Sequence, residues 1–292
     1  MNTIQSPLKH SSVQKPKFGL IIVGDEILSG KRADKHMPKT IELLSQRGLS
    51  LSYAEYVGDD PQRIQFVLER AFQSGDIVFS CGGIGATPDD HTRQCAAKAL
   101  GVPLALHAQA EELIRQRIKD QALEAGKPYE PDLPEHIHRL NMGQFPMGAE
   151  IIPNPYNKIP GFQCSTKDPQ VLAQHPWARV YFLPGFPVMA WPMMEWVLDE
   201  YCQAWFEKSS FSEHSVIVYG SMEASLTPMM LKLEEQFSLI KVFSLPSVDH
   251  PVHGRHIELG VKGPPEAVAQ AYPMMLHYLH EFGASLGPEL VR

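Results

Sequence analysis

The stretch SCGGIGATPDDHT, residues 80–92, decides how this sequence is read. Gly82, Gly83 and Gly85 fall within four positions, followed by Ala86, Thr87, the adjacent carboxylates Asp89 and Asp90, and Thr92. Glycine has no Cβ and tolerates positive φ, so such a run lets backbone N–H groups approach a phosphate closely. The same run would also serve as a plain turn between a strand and a helix. It is not GxGxxG with an acid about 20 residues further on, nor is it GxxxxGK[ST]. Both a dinucleotide-binding Rossmann loop and a P-loop NTPase are therefore disfavoured.

The flanks tell more. DIVFSC, residues 76–81, is an apolar run of the kind that forms a buried strand, and TRQCAAKALG, residues 92–101, reads as a helix stopped by Gly101. Upstream, FGLIIV (18–23) is a second buried-strand run, ending in GDEILSGK (24–31), where Gly24 and Gly30 bracket Asp25, Glu26 and Ser29. Residues 33–48, with apolar positions at Ile41, Leu43 and Leu44, predict a helix that Gly48 stops, and residues 50–58 alternate as a strand. In residues 61–74, Ile64, Val67, Leu68 and Ala71 recur at i, i+3, i+4, i+7, with Asp60 as N-cap and Pro61 at the first helical position. Strands and helices alternate over residues 18–101, which implies a mostly parallel sheet with helices on both faces, a three-layer α/β/α fold. Ligands of such sheets sit at the carboxyl ends of the strands, where both glycine–acid loops emerge.

Further on, residues 107–125 predict a helix, residues 126–136 a Pro-rich break, and residues 141–162 a Gly- and Pro-dense edge element or lid. ARVYFLPG (178–185) is another strand, ending in Pro184-Gly185-Phe186-Pro187. A long apolar helix follows, in which Pro192 predicts an early kink or a start beyond that point. Composition shifts near residue 208, and the remainder reads strand, helix, strand, strand, helix. The expected organisation is a polar tail over 1–16, a main α/β domain over 17–208 and a small α+β domain over 209–292.

The acids make the opening loop more than a turn. Asp89 and Asp90 stand at the start of the helix after the glycines, and one of them would cap it. Asp25 and Glu26 reach the same sheet edge, as does Asp59 at the end of the second strand. Like charges gathered at one edge repel, and a divalent cation such as Mg²⁺ or a donor-rich ligand would relieve that cost.

In this order and spacing, VGDEILSGK, VGDD, GGIGATPDDHT and FLPGFPVM resemble the MoaB/Mog molybdopterin-binding domain. That family's pattern of glycines, Asp and Thr falls on Gly82, Gly83, Gly85, Asp90 and Thr92, its other Asp on Asp59, and its Pro-Gly-x-Pro on Pro184, Gly185 and Pro187. GDEILSG, TPDD and NPYNKIPGF look closer still to the N-terminal domain of CinA-type proteins, over roughly residues 17–205. The resemblance implies a small phosphorylated ligand, molybdopterin or a nucleotide. It also implies attack on a phosphoanhydride, by adenylylation or by metal-dependent hydrolysis of the ADP-ribose type. Asp59 and Asp90 would hold the metal or orient the nucleophile, Gly82–Thr87 would cradle phosphate, and Gly24, Asp25, Glu26, Ser29, Asp89 and Gly185 would line the pocket. The family forms dimers and trimers, so a homo-oligomer is expected. One departure stands out: relatives carry Thr-Asn where this chain has Lys35-His36. The alternative to an enzyme is a module that binds or delivers the pterin or nucleotide without turnover. A scaffold without a ligand is disfavoured by the carboxylates.

Composition bounds the rest. The chain has 292 residues, 43% hydrophobic, with a formal net charge of -7. An acidic chain argues against nucleic acid as partner, though backbone amides still supply local positive potential for a small anion. The four cysteines have no zinc-ligand spacing, the N-terminus shows no apolar signal segment, and no run approaches a membrane span, so a cytoplasmic chain is expected. His250, His253 and His256 have a three-residue spacing that zinc would accept, but they sit in a Pro/Gly loop without a supporting acid. MAWPMMEW reads as core or oligomer interface rather than a cofactor box, and Cys81 as a buried thiol rather than a nucleophile.

Overall fold

The computed structural model describes residues 15–206 and 212–291. They form two compact units, the first ending at Phe206. Most of the tail expected over 1–16, and the junction expected at 208 and 209, lie outside the described residues.

In the first unit, β1 (Phe18–Val23) leads through the single turn α1 (Asp25–Leu28) to α2 (His36–Ser45) and β2 (Leu51–Val57). Then come α3 (Pro61–Gln73), β3 (Ile77–Cys81), α4 (Thr92–Leu100), β4 (Leu104–Leu106), α5 (Ala108–Glu124) and α6 (Pro134–Arg139). The chain continues through β5 (Gln144–Pro146), β6 (Glu150–Ile152), β7 (Gly161–Ser165), α7 (Pro169–Gln174), β8 (Arg179–Leu183) and α8 (Pro187–Tyr201). The main sheet has the order β2-β1-β3-β8-β7-β6. β2, β1, β3 and β8 run parallel; β7 is antiparallel to β8, and β6, from the Gly/Pro-dense segment, is antiparallel to β7.

Register places the site. Val23 pairs with Val57, Ile22 with Cys81, and Cys81 with Leu183, so four parallel strands end at one level. β1 and β3 are buried at every residue, as strands covered on both faces must be. One face packs α3 and α4 side chains such as Ile64, Leu68, Cys95 and Ala96 against a stack of Phe145, Phe162 and Phe182, with successive ring centroids 4.5 Å and 4.4 Å apart. The other face packs Leu43 and Leu44 of α2 against Met193, Met194 and Val197 of α8. The Met-rich stripe is therefore core.

Local signals explain the helix ends. The Asp60 carboxylate accepts from the N–H groups of Gln62 and Arg63, with Pro61 at the first position of α3. Gly101 ends α4 in the left-handed conformation. Ile41 is 45% exposed, and the buried side of α2 is carried by Thr40, Leu43 and Leu44. One expectation needs correction. α8 begins at Pro187, where a missing N–H costs nothing, and runs on through Pro192.

The second unit comprises β9 (Ser212–Tyr219), α9 (Glu223–Gln236), β10 (Lys241–His250), β11 (Gly254–Gly263), α10 (Pro265–Glu281) and β12 (Ser285–Val291). Its antiparallel sheet has the order β10-β11-β9-β12, with Leu226, Leu233, Val268 and Met275 of the helices in its core. β12 was not legible in the sequence: SLGPELV carries Gly287 and Pro288, which an edge strand with an irregular register tolerates.

Candidate functional site

A cavity of about 450 Å³ lies at the carboxyl ends of the parallel strands. Gly24, Glu26, Asp59, Gly82, Gly83, Gly85, Ala86, Thr87, Asp89, Asp90, Pro184 and Gly185 all line it. The register of the sheet brings these segments together, although they span most of the first unit in sequence.

The glycine loop forms the floor. Its shape depends on backbone freedom: Gly83 has φ 68, and a Cβ at Gly85 would lie 2.5 Å from Asp90 Oδ2. Asp90 does not cap α4. Its Oδ2 accepts from the Thr87 N–H (2.8 Å) and the Thr87 hydroxyl (2.6 Å), closing the loop on itself. Thr92 is buried behind the loop, its hydroxyl donating to the Gly82 carbonyl (3.0 Å) and its N–H to the Gly83 carbonyl (3.0 Å). His138 of α6 braces the loop from outside, with Nε2 2.8 Å from the Ala86 carbonyl. Between these ties, the N–H groups of Gly83, Ile84, Gly85 and Ala86 donate to no acceptor among the described residues. A run of free amides on a curved loop carries partial positive charge suited to an anion.

The acidic wall is built by reciprocal bonds. The Asp25 N–H donates to Asp59 Oδ2 (2.9 Å) and the Asp59 N–H donates to Asp25 Oδ1 (3.1 Å), tying the β1 loop to the β2 loop. Asp25 thus braces the wall, while Asp59 faces the cavity. Partial burial pushes the Asp59 carboxyl above its ordinary value; the Asp25 N–H bond opposes this, and the charges of Asp25, Glu26 and Asp89 add to it. Ser29 ends α1 in an exposed position, and Pro187 opens α8; neither lines the cavity. Lys35 is the exposed residue before α2, and the neighbouring His36 is buried.

Five apolar residues that line the cavity were not singled out as site residues from the sequence. They are Met142, Ile159, Pro160, Phe186 and Met189, and Arg32 is the basic residue lining the cavity. Arg32 pairs with Glu26 (3.4 Å) and lies over the Phe186 ring. Asn154, which also lines the cavity, donates to Asn157 Oδ1 (2.8 Å) and the Ile159 carbonyl (2.9 Å). The Asn-Pro-x-Asn spacing was the available signal, since short amide side chains recur where loops bond to their own backbone.

Among the described residues, no group of three or more His, Cys, Asp or Glu is arranged to hold a metal ion. The histidine triplet gathers at the β10–β11 turn with ring centroids 5.0, 5.2 and 5.6 Å apart. One nitrogen of each ring is already engaged: His250 Nδ1 accepts from the His253 N–H, His253 Nδ1 bonds the Tyr219 hydroxyl, and His256 Nδ1 bonds the Gly254 carbonyl. Burial pushes the Cys81 thiol far above its ordinary range, which leaves it unreactive.

Fold and pocket together define a class: a three-layer α/β protein with a glycine-loop-lined cavity at the carboxyl edge of its sheet. A family model described as "Probable molybdopterin binding domain" matches residues 19–204, and the chain belongs to that family. It is 33% identical over 180 residues to a CinA-like protein of Anaeromyxobacter dehalogenans, a match covering 61% of this chain and 40% of the relative. A protein of Pyrobaculum calidifontis is 28% identical over 255 residues, covering 86% of this chain and 90% of that one. The crystal structure of CinA from Thermoplasma acidophilum, a protein described as of unknown function, is similar at 25% identity and a TM-score of 0.51, over 63% of this chain and 98% of that one.

Proposed function

We propose that the pocket binds a pterin phosphate or a nucleotide and hydrolyses a phosphoanhydride bond in it. The observation that carries the reading is the run of free amides from Gly83 to Ala86 on the cavity floor, flanked by Asp59 and Asp90. The amides would take phosphate oxygens, and the apolar wall of Met142, Ile159 and Met189 suits the flat ring system of a pterin or a base. Two wall carboxylates fit Mg²⁺ in the way such sites usually hold it, through one or two carboxylates, water and the ligand's own phosphates. The repulsion felt by Asp59 is the local reason a cation would be welcome. Bound there, the ion would neutralise charge on the phosphates.

In hydrolysis, water adds to one phosphorus, the bridging oxygen leaves with the other phosphate, and a carboxylate accepts the proton. Asp59, which faces the cavity, is assigned that last role. The carboxylate of Asp90 is tied to Thr87 and assigned to holding the loop.

The test is AMP release from ADP-ribose, and from ATP, with Mg²⁺ or Co²⁺. Turnover by the wild-type chain that Asp59→Ala abolishes is the expected result. Binding of either probe without any AMP would overturn the hydrolytic part. It would support a binding or delivery module.

A further inference from the structure

His36 is 5% exposed and does not line the cavity, yet its Nε2 lies 3.1 Å from the carbonyl oxygen of Gly185, which does. A carbonyl only accepts, so Nε2 carries the proton and His36 is the donor. Its Nδ1 is buried with no partner, so no second acceptor competes for the ring. The ring is placed by its own helix. The His36 N–H donates to Asp34 Oδ1 (2.8 Å), and the Thr40 hydroxyl donates to the His36 carbonyl (2.8 Å).

The consequence lies in the peptide plane. The Gly185 carbonyl and the Phe186 N–H belong to one peptide unit, and no cis peptide occurs among the described residues. In a planar trans unit these two groups point in opposite directions. With the carbonyl pinned toward His36, the Phe186 N–H is turned away from it, and it donates to no acceptor among the described residues. A flipped plane would exchange these groups and present a carbonyl oxygen, with its negative end, where the donor now stands. Gly185 is the residue most able to permit such a flip, and its α-carbon packs close to Gly82, where an added Cβ would be 3.5 Å from the Gly82 Cα.

We propose that His36 is a positioning residue of the pocket, locking the Gly185–Phe186 peptide so that its N–H rather than its carbonyl serves an anionic ligand. This rests on the reading of the cavity as a phosphate site and adds a donor from outside the glycine loop. It also gives the departure at Lys35-His36 a specific task. Burial holds the His36 imidazole below its ordinary pKa, against the opposing effects of the Gly185 bond and the Asp34 charge, which favours the neutral donor form.

The test uses the full chain with ADP-ribose and with inorganic pyrophosphate as probes, in the presence of Mg²⁺. His36→Gln keeps a donor of similar reach and should bind within about threefold of wild type. His36→Phe fills the space without a donor and should weaken both probes about tenfold, the scale of one lost donor to a charged group. Equal affinities for all three proteins would overturn the proposal. So would a ¹⁵N spectrum of the wild-type imidazole showing the proton on Nδ1, a readout that does not require either variant to fold. Wild-type chain that binds neither probe would overturn the phosphate reading and this proposal with it. Binding that His36→Phe leaves untouched would overturn this proposal alone.

Discussion

Two regions of this molecule concentrate residues that carry chemistry, and they differ in what the fold does with them. At the edge of the first unit, acids and glycines from separate loops converge on a cavity, and several backbone donors are left free. At the β10–β11 turn of the second unit, three histidines come as close as their spacing promised, but among the described residues no group of three or more His, Cys, Asp or Glu is arranged to hold a metal ion. Proximity of reactive side chains is therefore a weak criterion. What distinguishes the first region is that residues lining one cavity keep backbone N–H groups with no acceptor among the described residues, beside like charges that folding alone does not neutralise.

The comparison is broken most directly at the glycine loop. Gly83→Ala places a Cβ at a positive-φ position facing the Thr92 hydroxyl, and should destabilise the first unit by about 2 kcal/mol while removing ligand binding. Urea unfolding and calorimetric titration with ADP-ribose would check it; a variant that binds normally would refute the cradle. Asp90→Ala releases Thr87 from both of its bonds and should weaken the same probe by about tenfold or more, a charge-assisted pair being worth roughly 1.5–3 kcal/mol.

Asp59→Asn sharpens the electrostatic side. A carboxyl whose folded pKa is raised lends stability below its unfolded value and loses it as pH rises through the folded pKa. At pH 7 wild type therefore bears the cost of this partly buried charge, and of its repulsion by Asp25, Glu26 and Asp89, in full. The amide should raise the melting temperature by about 1–2 °C there, with no gain near pH 3, and should abolish AMP release. An unchanged or lower melting temperature at pH 7 would contradict the charged-wall account. The smallest effect is expected at the histidine turn. His253→Ala should leave probe affinity unchanged and the melting temperature within about 1 °C, and added Zn²⁺ should not stabilise the wild-type chain. A Zn²⁺-dependent rise lost in His253→Ala would make this turn a second site.

Much of the first region was readable because its signals are local. The period of Ile64, Val67, Leu68 and Ala71, the Asp60 cap and the buried runs of β1 and β3 depend on neighbours in sequence, and each appears in the structure as expected. The glycine loop was readable for the same reason. β12 was missed because its pairing with β9 outweighs its own poor strand propensity.

By itself, the amino-acid order determined the alternation of strands and helices, the backbone freedom at Gly82, Gly83 and Gly85, and the edge of the sheet at which the loops emerge. Tertiary structure alone decided that Asp25 would brace while Asp59 faces the cavity, that Asp90 would fold its own loop, and that His36 would reach Gly185 across 149 positions of chain. The reason is that helical and strand periodicity are properties of a few adjacent residues. Which hydrogen bonds remain unmade is a property of the whole packed unit, and can be counted only after the strands are in register.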